Sequence, residues 1–164
     1  VDTELPNNIL EIEVKAATKK LGIKRENLFI YNNEVRKLNY IRQEILEELI
    51  KLKKKIDPDI IFMPSINDIH QDHSTVAREG LRAFKDRTIL GYELIWNNIT
   101  FNTSTFIILQ HNHVQSKVDA LQEYKSQKDK AYMSHDFVFS LAKSRGVQIG
   151  KEYAECFEVI RWVM

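Results

Sequence analysis

Four side chains able to bind metal or move protons fall within one short stretch, Asp68-Ile69-His70-Gln71-Asp72-His73. Two carboxylates and two imidazoles suit zinc, iron or another divalent metal. A hydrolytic metal site needs about three protein ligands and an open position for water. The metal then acidifies that water and polarises the carbonyl under attack. A neighbouring imidazole can donate to the developing oxyanion or act as general acid, and a carboxylate beside it can fix its tautomer. The plainer reading is a solvated turn that opens a helix, with Asp72 favoured there by the helix dipole. The clustering, and the place of the loop after an apolar run closed by Pro64, favour chemistry.

Such a loop needs a scaffold. Asn8 and Glu11 stand in the relation of a capping box, and Leu10, Val14, Ala17 and Leu21 follow at helical spacing up to Gly22. Leu28-Phe29-Ile30-Tyr31 is expected to form a short buried strand. Leu38, Ile41, Ile45, Leu49, Leu52 and Ile56 mark a second helix, ended by Asp57-Pro58. Ile60-Ile61-Phe62-Met63 is continuously apolar, which predicts a strand buried on both faces of a parallel sheet. A helix is expected from about Ser74 to Phe84, strands over Thr88 to Trp96 and Phe106 to Leu109, and a helix through Val114, Val118, Leu121 and Tyr124. Met133, Phe137 and Leu141 mark another helix closing near Gly146, and Glu155 to Val163 reads as the last strand. Alternating helices and strands imply right-handed crossovers in an α/β fold: three-layered, Rossmann-like, with a mainly parallel sheet, in a single domain over residues 1–164. Ligands bind such sheets beyond the C-terminal ends of the strands, where the loop after Met63 lies.

Composition narrows the classes. A net charge of +1 gives no footprint for nucleic acid. The single cysteine, Cys156, excludes a disulfide framework and a cysteine zinc site, and its apolar neighbours make it a core residue. No apolar stretch approaches the ~20 residues of a membrane span, and no signal peptide opens the chain, so a cytoplasmic setting is expected. His111, His113 and His135 read as polar helix entries, and Trp96 and Trp162 as packed strand residues. The chain enters a helix almost at once from Val1, which is expected of a sequence that starts in the middle of a fold.

The loop, with Pro58-Asp59-Ile60-Ile61-Phe62-Met63-Pro64 before it, resembles the second motif of the PIG-L/LmbE-like deacetylases. Glu13-Val14-Lys15-Ala16-Ala17 and Leu21-Gly22-Ile23 resemble that family's helix before its third strand. Lys117-Val118-Asp119-Ala120-Leu121, Tyr124-Lys125-Ser126-Gln127 and Tyr153-Ala154-Glu155-Cys156-Phe157 resemble its later helix and closing strand. The resemblance implies a zinc-dependent hydrolase that removes the acetyl group from an N-acetyl sugar of the GlcNAc type. It makes His73 a metal ligand to zinc or another divalent ion, and His70 the group that stabilises the oxyanion or protonates the leaving amine. It makes Asp72 the carboxylate that tunes His70, and Asp68 a substrate contact at the pocket wall. The family's other motif, His-Pro-Asp-Asp, with two metal ligands and the general base, does not occur in these 164 residues. The expectation is a fragment lacking the first strand, completed by a missing N-terminal segment or by another chain, including a homo-oligomer.

Two other functions fit the loop. A metallo-β-lactamase-like hydrolase uses His-x-His-x-Asp-His after a strand, with Asp68 here in place of the first His; it requires antiparallel hairpins at its start and further ligands downstream. A non-catalytic sugar- or partner-binding module would follow if the metal site stays broken.

Overall fold

The structure, a computed structural model, describes residues 8–164; the expected mid-fold start at residues 1–7 lies outside them. Helices and strands are interspersed along the described residues: α1 (Ile9–Lys20), α2 (Arg42–Ile56), β1 (Ile60–Pro64), α3 (Gln71–Ala83), β2 (Thr88–Tyr92), β3 (Thr105–Leu109), α4 (His111–Leu121), α5 (His135–Gln148) and β4 (Tyr153–Arg161). The strands are ordered β1-β2-β4-β3. β1 and β2 are parallel, with Ile60 opposite Thr88 and Pro64 opposite Tyr92, whereas β4 runs antiparallel to β2. The α/β class expected from the alternation is therefore present, on a mixed sheet instead of a mainly parallel one. An apolar run such as Cys156-Phe157 reports burial and not strand direction.

Two expected strands change. Leu28 to Tyr31 forms no strand, and Ile30 and Tyr31 are exposed. β2 ends at Tyr92, which leaves Trp96 in a turn and 71% exposed; Trp162 lies beyond β4 and is exposed too. Neither tryptophan packs in a strand.

The chain divides into two compact units. One comprises residues 32–106 and 156–164. Leu46 on α2, Met63 on β1, Ala83 on α3, Phe84 and the fully buried Ile89 on β2 form its core, with Leu49, Ile50, Ile61, Leu81 and Ile160 against them. Each such large side chain contributes about 1.5–3 kcal/mol on burial. β1 is not buried on both faces: Ile60 and Phe62 remain half exposed, while Met63 turns inward. α2 and α3 are tied by a fully buried carboxylate, Glu79, which accepts from Arg42 Nε at 2.7 Å and Arg82 at 2.5 Å.

The other unit comprises, among the described residues, 8–31 and 107–155. Its core is Val114 and Val118 on α4 with Val138 and Ala142 on α5, covered by Leu109, Leu121, Phe137, Phe139 and Tyr153. Ser134 caps α5 by accepting the Phe137 amide. Asn8 stands at the N-cap of α1 without a side-chain bond, and Glu11 pairs with Lys15 instead of closing the expected box. Gly146 sits inside α5 and does not end it. A Cβ there would come within 2.6 Å of the Lys151 carbonyl and 2.7 Å of that of Glu152, so the position needs glycine for close passage of the following chain.

Candidate active site

The loop after β1 is built from its floor upward. Ser65 is fully buried; its hydroxyl donates to Glu158 Oε2 on β4 at 2.6 Å and accepts the Asn67 amide at 3.1 Å. Gly91 on β2 makes room for this turn, since a Cβ there would lie 3.2 Å from both Ser65 Cα and Glu158 Oε2. The Asp68 amide then donates to the Ser65 carbonyl at 3.1 Å. A second turn meets the first: Ile69 donates its amide to the Asn97 carbonyl, and Asp68 bridges to Asn98.

Asp68 is 4% exposed. Its Oδ1 accepts the His70 amide at 2.8 Å, and its Oδ2 lies 2.8 Å from His73 Nδ1. Asn97 Nδ2 stands 3.4 Å from the same Oδ2 and 3.2 Å from His73 Nδ1. An ionised carboxylate only accepts, so His73 Nδ1 carries the proton and donates. Neutral His73 therefore bears its lone pair on Nε2, the nitrogen a metal would take.

His70 is set the other way. It is the N-cap of α3, and its Nδ1 accepts the Asp72 amide at 3.2 Å. Its neutral ring therefore carries the proton on Nε2 and presents a donor. The two rings lie 4.6 Å apart, tilted by 33°. α3 begins at Gln71, three residues earlier than the apolar spacing marks, because the His70 side chain caps it. That early start puts His73 in the first turn.

Asp72, buried, does not direct its carboxylate at His70. Its Oδ2 accepts the Arg36 amide at 2.6 Å and its Oδ1 that of Leu38 at 3.3 Å. The carboxylate–imidazole pair in this loop is Asp68 with His73, where Asp72 with His70 was expected. Asp68 itself is buried and is not among the residues lining the cavity, where a wall position was expected; its short side chain turns back to satisfy an amide and a ring. The cavity, about 300 Å³, is lined by Arg36, Ile69, His70, Gln71 and Asn97. Tyr92, at the end of β2, has its phenol pushed up to about 12 by burial and then by the negative charge of Asp68, so it stays neutral at ordinary pH.

Among the described residues, no three His, Cys, Asp or Glu side chains gather to hold a metal ion. Asp68 is committed to His73 Nδ1, Asp72 to two amides, and His70 presents a proton. The loop thus offers one metal ligand, His73 Nε2, and the described residues do not make a complete metal site. The remaining histidines belong to the other unit and have local partners. His113 Nδ1 accepts the Gln110 amide at 3.1 Å in a capping box, and His111 and His135 lie against the Phe139 ring.

Sequence reasoning missed Asn97, Tyr92, Arg36 and the Ser65–Glu158 pair. The Asn97-Asn98 dipeptide was a turn signal, and Glu158, a charge inside an apolar strand, announced a buried partner.

Residues 6–84, the loop included, match the family described as GlcNAc-PI de-N-acetylase, PIG-L. That segment belongs to the PIG-L family. The whole chain shares its fold with solved structures. It is similar to an N,N'-diacetylchitobiose deacetylase from Pyrococcus horikoshii (TM-score 0.73, 21% identity), covering 93% of this chain and 63% of that one. It is similar to a conserved protein from Thermus thermophilus (TM-score 0.72, 18% identity), covering 99% and 78%. It is also similar to a 4-carboxy-2-hydroxymuconate hydratase from Pseudomonas putida (TM-score 0.66, 15% identity), covering 99% and 77%. Deacetylase and hydratase share this fold, so the argument for an activity of the PIG-L segment rests on its loop and not on the fold. No helix among the described residues is long and apolar enough to cross a membrane.

Proposed function

We propose that this chain acts in the deacetylation of an N-acetylated sugar of the GlcNAc type, with zinc or another divalent metal as cofactor and His73 as the ligand this loop supplies. The single observation that carries the reading is the pair of imidazoles set 4.6 Å apart with their Nδ1 atoms oppositely engaged, that of His73 by the Asp68 carboxylate and that of His70 by the Asp72 amide. The PIG-L match supports the reaction class. The sheet opens with the parallel pair β1–β2, not the antiparallel hairpins that a metallo-β-lactamase-like hydrolase requires.

In this reading a bound metal supplies Lewis acidity at the acetamide carbonyl. The chain's own residues do the rest. Asp68, which also accepts from Asn97 Nδ2, holds the His73 ring so that Nε2 keeps its lone pair and direction. His70 donates its Nε2 proton toward the oxygen that gains charge, or to the departing amine. Asp72 holds the 36–38 turn against the start of α3, which shapes the cavity wall. The cytoplasm as the place of action, and a second copy or additional segment as the source of further ligands, belong to the same proposal.

The test is acetate release from N-acetylglucosamine and from GlcNAc-phosphatidylinositol with zinc present. Release that disappears in both His70→Ala and His73→Ala supports the proposal. Release that persists within about twofold in both variants, the scale of an ordinary surface change, would sink it. Sugar binding without any release would move the chain to the non-catalytic binding module.

A further inference from the structure

Arg36 is a residue out of keeping with its backbone. Its φ is +67°, in the left-handed region that glycine and asparagine adopt readily and arginine does not. The conformation is imposed from two sides: its amide donates to Asp72 Oδ2 at 2.6 Å and its carbonyl accepts from Gln71 Nε2 at 2.7 Å. Both bonds use backbone atoms and would hold a glycine equally well. The strain of an arginine is thus unnecessary for the turn. Arg36 lines the cavity with His70, Gln71 and Asn97, and no ion pair or hydrogen bond engages its side chain among the described residues. The same cavity is lined by the first residue of α3, a 13-residue helix whose N-terminal amides favour negative charge. Asp68 and Asp72 oppose an anion here, but each is buried and already held by two or more donors.

We propose that Arg36 binds an oxyanion substituent of the ligand, a phosphate or a carboxylate, carried close to the acetamide that His70 addresses. A planar guanidinium fits either group with two parallel hydrogen bonds. The proposal rests on the deacetylase reading only for the sugar that bears the oxyanion.

The test is an NMR titration of the 164-residue chain with four probes: N-acetylglucosamine, its 1-phosphate, N-acetylmuramic acid and inorganic phosphate. The expected result is binding of the 1-phosphate, the muramic acid or both at least about tenfold tighter than the neutral sugar, with the His70 and Gln71 amide signals shifting. Tighter binding of the 1-phosphate assigns a phosphate, and of the muramic acid a carboxylate. Arg36→Gly, which suits the φ of +67° and should fold, is expected to remove the gap; Arg36→Lys keeps the charge without the planar fork and should keep part of it. Inorganic phosphate binding that depends on Arg36, with no sugar bound, upholds the oxyanion site and rejects the sugar reading. The proposal is overturned if no anionic probe binds better than the neutral sugar and phosphate shifts nothing, or if the gap survives in both variants.

Discussion

Among the described residues, α3 and α4 each begin with two histidines close together, and only at α3 do they form a candidate site. At α4, His113 bends back to accept the Gln110 amide and His111 rests on Phe139, so the rings complete a helix start and a small aromatic cluster. At α3, His70 performs the same capping task, yet a buried carboxylate in the loop just beyond β1 takes Nδ1 of His73 as well. The difference is Asp68. A histidine at a helix N-terminus satisfies local amides by default; it becomes reactive when a buried acceptor fixes which nitrogen is left over.

That contrast can be broken or sharpened experimentally. The largest effect is expected from His70→Ala and His73→Ala, each lowering deacetylation by roughly a hundred- to ten-thousand-fold, while His111→Ala stays within about twofold; steady-state rates decide it, and equal losses at both helices would erase the distinction. Next comes Asp68→Asn, expected to reduce zinc affinity or activity about ten- to a hundredfold, read by metal titration. Asp72→Asn should instead loosen the 36–38 turn, seen as faster amide exchange at Arg36 and Leu38.

Gly146→Ala tests the α5 side of the molecule. Its Cβ would meet two backbone carbonyls that cannot step aside, so we expect a loss of about 1–3 kcal/mol in urea unfolding, with no specific effect on His70. The smallest effect concerns Tyr92. Its folded pKa lies above its unfolded value of 10.0, at about 12. The stabilisation is therefore complete below pH 10 and lost as pH rises towards 12. Tyr92→Phe should flatten that alkaline fall in a thermal-melt series, and an unchanged slope would contradict the burial of the phenol beside Asp68.

Much of this was legible in the chain. The spacing of Ile45, Leu49, Leu52 and Ile56 announced α2, because burial leaves a periodic trace, and the apolar run Ile60 to Met63 announced β1 but not its half-exposed face. The loop was found because its four functional groups are contiguous. What remained hidden was which group meets which: the partner of His73 is five residues back, that of Asp72 is more than thirty residues away, and the tautomers depend on those pairings. Strand direction was hidden for a similar reason, as was the absence of a strand at Leu28 to Tyr31 despite four apolar residues.

The bond between Ser65 and Glu158 also bears on when the site can exist. The two residues are 93 positions apart, and Glu158 accepts the Asn102 amide as well, so one carboxylate near the end of the chain secures the floor of the loop. During synthesis the histidines emerge long before that carboxylate does. The loop then waits, without its anchor, for β4 to leave the ribosome. A chain halted before Glu158 would carry every residue of the candidate site and still lack the floor on which they stand.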